Sequence, residues 1–182
     1  MTREEREREA RRNQILISSI LVVIMVLSTL GYAFYNSSTE KIKYNGIKFY
    51  YQEGFWNFKI NEIEFSISYN PKETENISIE VTKTLNDYNG KPLYFSYDSD
   101  YDSIQEIARN IGRFVLRIQE ACLDNENCEE DIPIKNCSDN IIIIREGEEN
   151  VVREEDNCVY IIYKENPILT SDAFIFKILG IK

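Results

Sequence analysis

A chain of 182 residues has room for one domain plus an accessory segment. Its 31 acidic and 21 basic residues give a formal charge of −10, which argues against nucleic acid or an anionic lipid surface as partner, because each phosphate contact needs a cation. Histidine is absent, so Ser/His and Cys/His nucleophile pairs and histidine metal sites are excluded, leaving carboxylate, lysine, tyrosine or metal-carboxylate chemistry.

Residues 1–13 carry five Arg and four Glu, with Glu4 to Arg8 and Glu7 to Arg11 at the i,i+4 spacing of a solvated charged helix. They read as a short cytoplasmic tail. Residues 15–35 hold no charge and include the unbroken apolar run 20–27. As a helix this stretch covers about 31 Å against about 30 Å of hydrocarbon. Residues 14–35 are therefore expected to form one transmembrane helix, the chain's contact with the lipid bilayer, with Tyr32, Phe34 and Tyr35 at headgroup level. Arg11 and Arg12 abut the run on one side, and Lys41, Lys43 and Lys48 lie beyond the other, a small bias toward an inside N-terminus. The competing reading is a cleaved signal peptide, since Gly31 and Ala33 form a small-x-small pattern, but a signal's leading segment is plainly basic where this one mixes Arg with Glu.

Residues 36–182 read as one extracytoplasmic domain at the plasma membrane. Asn45-Gly46 between Ile42, Tyr44 and Ile47, Phe49, Tyr51 predicts a hairpin with a type I′ turn. The alternation of Trp56, Phe58, Ile60 and Ile63, Phe65, Ile67, Tyr69 predicts a second, turning at Asn61-Glu62. Ile77, Ile79 and Val81 suggest another strand, residues 85–91 a turn, and residues 93–97 an inner strand. Ile104, Ile107, Ala108, Ile111, Phe114, Val115 and Ile118 then recur at helical period and predict an amphipathic helix of about five turns over 103–122. Two apolar strands follow at 140–145 and 158–163, the first with four consecutive isoleucines and so expected to be buried on both faces, separated by the polar segment 146–157. Thr170 or Ser171 is expected to cap a short final helix through Leu179, with Gly180 as its stop. This order predicts an α+β fold: a mixed sheet with N-terminal hairpins, one long amphipathic helix and a short C-terminal helix, preceded by a single transmembrane helix.

Four cysteines, all in residues 36–182, have no zinc or thiol-redox spacing and are expected to form disulfides in an oxidising compartment. Of the three connectivities, Cys122–Cys128 closes the loop after the long helix and Cys137–Cys158 ties one strand approach to the next strand. Glycosylation-type sequons stand at Asn36, Asn76 and Asn136. Asp98, Asp100 and Asp102 precede the helix and suit its positive end; alternate carboxylates can also ligate calcium, although Ser103 and Arg109 stand where an EF-hand loop has Gly and Glu. No cofactor is expected otherwise. Asp124, Glu126, Glu129, Glu130 and Asp131 read as a charged loop rather than a glycosidase pair, and the aromatics of 44–56 as sheet core rather than a glycan-stacking surface. The functional expectation is a non-enzymatic binding or structural component of the cell envelope with a protein partner there. The alternative is a carboxylate- or metal-dependent surface enzyme acting on glycan or another envelope substrate.

Overall fold

The computed structural model describes residues 3–37, 40–98, 101–128 and 131–182. The chain divides into two compact units, Met1–Glu40 and Lys41–Lys182. The first contains one helix, α1 (Arg3–Ser37). Its segment Arg11–Gly31 is long and apolar enough to cross a membrane, and none of it is buried. An apolar helix with no protein covering any side is suited to lipid. Within it the Thr29 hydroxyl donates back to Met25 O (3.1 Å) and Val26 O (2.9 Å), so this polar group needs no water.

The second unit opens with four antiparallel strands in sequence order, β1 (Lys41–Tyr44), β2 (Ile47–Gln52), β3 (Phe55–Ile60) and β4 (Ile63–Ile67). Two-residue turns join them at Asn45-Gly46, Glu53-Gly54 and Asn61-Glu62. All six turn residues have positive φ (44°, 85°, 55°, 87°, 47° and 66°), the backbone of type I′ turns that follows strand twist. Alternation then sends Phe49, Trp56, Phe58, Phe65 and Ile67 to the inner face, where all are buried.

The remaining elements are β5 (Ser78–Glu80), α2 (Leu85–Tyr88), β6 (Pro92–Tyr97), α3 (Asp102–Ile111), β7 (Arg117–Glu120), β8 (Cys122–Leu123), β9 (Ile134–Lys135), β10 (Ile141–Glu146), β11 (Val151–Glu155), β12 (Cys158–Tyr163) and α4 (Pro167–Ile178). They build a six-stranded mixed sheet in the order β5-β11-β12-β10-β6-β7, in which β7, β6, β10 and β12 run parallel and β11 runs against β12. The α+β class holds.

Helix α4 explains how two sheets share one core. Its residues 170–176 are all buried. Phe176 meets Phe49 and Phe58 of the four-stranded sheet at centroid distances of 6.1 and 6.2 Å, while Phe174 meets Tyr88 at 6.1 Å. A helix buried on several sides belongs between layers, and α4 packs on α3, β12 and β11 as well. The isoleucine strand β10 serves two cores. Ile142 and Ile144 face the helices, whereas Ile141 and Ile143 join Tyr94, Ala121, Leu123 and Cys158 on the opposite face. Two disulfides brace the chain after β7: Cys122–Cys128, and Cys137–Cys158, which ends on β12.

Four local expectations are corrected. The predicted helix over 103–122 is ten residues long. Gly90 N–H bonds Phe114 O (2.8 Å) and Leu116 N–H bonds Lys91 O (2.9 Å), so the chain after Gly112 is drawn alongside β6 and becomes β7. Phe114 and Val115, ahead of that strand, still pack against the core, whereas Leu116 and Ile118 are exposed. The final helix starts earlier, at Pro167, because Asn166 accepts from Leu169 N–H (3.0 Å) and proline suits the first helical turn. The polar segment 146–157 contains β11, whose outward residues are charged and whose Val152 alone is buried. Residues 85–91 include the short helix α2, held by a capping box in which Asp87 accepts from Thr84 N–H and Oγ–H (2.8 and 2.9 Å).

Candidate functional site

The N-terminal ends of β6, β10 and β12 lie side by side, and the C-terminal ends of β5 and β11 reach the same edge of the sheet. Between them opens a cleft of about 570 Å³, lined by Thr82, Lys83, Asp87, Lys91, Tyr94 and Glu154 together with Ser138, Asp139, Asn140 and Asn157. The Cys137–Cys158 disulfide holds two of its walls together: Asn157 Nδ2 donates to Cys137 O (3.0 Å), and Asn140 Nδ2 reaches across to Pro92 O (3.2 Å).

The charges in this cleft are unequally engaged. Glu154 accepts from both Thr82 N–H and Thr82 Oγ–H at 2.8 Å. Burial opposes its ionisation, but those donors and Lys83 outweigh it and hold the carboxyl below its ordinary range. The Thr84 donors likewise depress Asp87, and Asp139 pairs with Lys135 at 3.0 Å. The cations have neutral partners instead. Lys83 is buried and donates to Asn157 Oδ1 (2.5 Å), and Lys91 donates to Asp87 O (2.8 Å). Burial lowers the Lys83 pKa, with Glu154 and Asp87 working against the shift. On the same edge the Tyr94 hydroxyl accepts from Arg117 (2.8 Å) while Lys135 Nζ stands 4.5 Å from its ring centroid, and the Arg117 hydrogen bond leads in drawing the phenol pKa down. The arrangement presents two lysines, three carboxylates and neutral amides to a ligand, each charged group held by a partner in the wall. Comparison of the chain with protein families, curated proteins and solved structures gave no match.

A second polar cluster lies inside the domain. β4 is an edge strand, and α3 and α4 supply the partners that a further strand would have given it. Asn110 Oδ1 accepts from Ser66 N–H (3.0 Å), Glu106 Oε1 from Ser68 N–H (3.0 Å) and Asp172 Oδ2 from Tyr69 N–H (2.7 Å), while Arg109 Nε donates to Ser66 O (3.1 Å). The match is geometric: four residues of helix rise about 6 Å, and two residues of strand about 6.6 Å. Glu106 also bonds Ser68 Oγ and Arg109, and faces Asp172. Burial first, then the Glu106 charge, pushes the Asp172 pKa well up, so Asp172 takes a proton more readily than an exposed carboxyl does. Asp172 is fully buried.

The residues singled out in the sequence are placed differently. Asp98 pairs with Arg145 (3.4 Å), which also binds Glu126 (2.8 Å) and Ser96 Oγ (2.7 Å) and so clips the Cys122–Cys128 loop to the sheet end. Asp102 is the first residue of α3, whose N-cap is Tyr101 without a side-chain cap bond, so the expected Asp cap is not what starts this helix; Asp100 lies outside the described residues. Among the described residues no group of three or more Asp, Glu or Cys is placed to hold a metal ion. Asn76 is exposed, Asn136 is exposed with its Oδ1 accepting from Ser138 N–H and Oγ–H, and the Asn36 side chain lies outside the described set. Of the acidic loop, Glu129 and Glu130 also lie outside it. Of the aromatics of 44–56, Phe49 and Trp56 are core, with Tyr51 left 41% exposed against Trp56. The cleft residues carried no spacing signal, since they come from four separate segments; only the Cys137–Cys158 link could have hinted that residues 138–140 meet Asn157.

Proposed function

We propose that the chain is a single-pass plasma-membrane protein, with residues 1–13 cytoplasmic and residues 36–182 forming an extracytoplasmic domain that binds another component of the cell envelope. The observation that carries the reading is the conjunction of a fully exposed apolar helix with a domain braced by two disulfides, which form outside the reducing cytosol. The cleft beside Cys137–Cys158 is the binding site, and its chemistry suits a polar ligand that brings an anionic group to Lys83 and Lys91 and hydrogen-bonding groups to Asn140, Asn157 and Ser138. Binding is favoured over acid-base catalysis because glycoside hydrolysis needs one carboxyl with a raised pKa. In the cleft Asp87 and Glu154 are both shifted down, and the raised carboxyl, Asp172, is sealed in the core.

Two measurements test this. Protease added to intact cells should digest the cystine domain and spare the N-terminal tail; a protected domain reverses the topology. A photoreactive residue at Ser138 should give a discrete adduct in intact cells that the Lys91→Glu change abolishes. Unchanged labelling in that variant would remove the cleft from the reading.

A further inference from the structure

The outer face of the four-stranded sheet carries a row of three lysines with a single acid, Glu64, at its end. Lys43 stands directly opposite Lys48 in the β1–β2 ladder. The β2–β3 ladder pairs Tyr50 with Asn57, and carried two residues further it sets Lys48 beside Lys59; the rings of Phe49 and Phe58, the intervening pair, lie 4.6 Å apart and keep that alignment. Lys59 in turn opposes Glu64 on β4. All three lysines are exposed. Among the described residues none of them forms an ion pair. Glu64, the one acid of the row, is engaged by the Tyr50 hydroxyl.

Like charges set opposite one another on a sheet are destabilising. A lysine on an edge strand has an ordinary role, keeping the edge from pairing with other chains, and that accounts for Lys43 on β1. It does not account for Lys48 and Lys59, which sit on the interior strands β2 and β3. In a chain of charge −10 the row is also against the general trend. Its position along the chain supplies the partner. The apolar segment ends at Gly31 and β1 begins at Lys41, so even a fully extended connection would let the strand stand at most about 35 Å from the end of the span.

We infer that the Lys43–Lys48–Lys59 row is a docking surface for anionic lipid headgroups of the membrane in which the chain is anchored. This reverses, for one face, the expectation drawn from net charge: Glu64 is the one acid in the four strands, and a surface responds to the charges within a screening length of about 8 Å. The inference rests on membrane retention but not on the cleft, and the two fail separately.

The test uses the full chain in lipid nanodiscs, one set of phosphatidylcholine and one containing phosphatidylglycerol, with amine-reactive labelling read by peptide mass spectrometry. Labelling of Lys43, Lys48 and Lys59 should fall at least threefold in the anionic discs and recover at 0.5 M salt, while Lys164, exposed beyond β12, stays constant. Replacing the three lysines by glutamine should make hydrogen exchange across β1 and β2 identical in the two lipids, with α4 exchange reporting an intact fold. Equal labelling in both lipids would overturn the proposal. So would protection seen only in intact cells, which would assign the row to a soluble anionic partner.

Discussion

Replacing Asp172 separates hydrogen bonding from charge in the buried polar cluster. Asp172→Ala leaves Tyr69 N–H without its acceptor. At about 1–3 kcal/mol for a buried group left unsatisfied, the loss should be about 1–3 kcal/mol. Asp172→Asn keeps that bond, because the amide oxygen accepts from Tyr69 N–H, and it replaces the titratable oxygen Oδ1, which has no hydrogen-bond partner among the described residues, by an uncharged group beside Glu106, itself held by Ser68 and Arg109. Its stability should lie within about 1 kcal/mol of the parent at mildly acidic pH. The parent differs from the amide in pH dependence. The folded state holds the Asp172 proton more tightly than the unfolded chain does, so this contribution is complete below the unfolded carboxyl pKa of about 4 and is lost as pH rises toward the raised folded value. Across that window the parent should lose up to about 1.4 kcal/mol per pH unit relative to Asp172→Asn. Urea unfolding of both proteins at a series of pH values, followed by far-UV circular dichroism, measures the difference. A difference that stays flat with pH, or an asparagine variant as damaged as the alanine one, would refute the raised pKa of Asp172.

Local rules reached different depths in different parts of this chain. The hairpins were legible because Asn45-Gly46 and the alternating aromatics fix turn and face within a dozen residues, and β10 was legible because four β-branched residues in a row suit a strand with a core on each side. The structure pairs consecutive cysteines, Cys122 with Cys128 and Cys137 with Cys158. Failures came where a distant strand outcompeted local period. Residues 114–118 keep a helical spacing of apolar side chains, but backbone bonds to Gly90 and Lys91 decide their fate, and no periodicity reports those. β11 was hidden for a related reason: as the partner of β5 and β12 it needs only Val152 inside, so its charged residues look like a loop. Net charge likewise averages over the chain and does not report the lysine row of one sheet face.

Breaking the two disulfides should not cost the same. By loop closure Cys137–Cys158, at a separation of 21, should contribute about 3 kcal/mol and Cys122–Cys128, at a separation of 6, about 2 kcal/mol, so paired serine substitutions followed by urea unfolding should rank in that order. The longer bridge also shapes the cleft, so its loss should abolish the Ser138 photo-adduct while loss of the shorter one leaves it intact. Tyr94 offers a spectroscopic check of the cleft edge. The Arg117 bond and Lys135 charge stabilise its phenolate against the opposing effect of burial, so Tyr94 should ionise below the ordinary tyrosine value of about 10. Alkaline titration at 295 nm of Tyr94→Phe against the parent should therefore show the missing absorbance below pH 10, and Arg117→Gln should move that step back toward it. An identical low-pH limb in Tyr94→Phe would mean that the two cations do not act on this phenol, and the electrostatic reading of the cleft edge would fall with it.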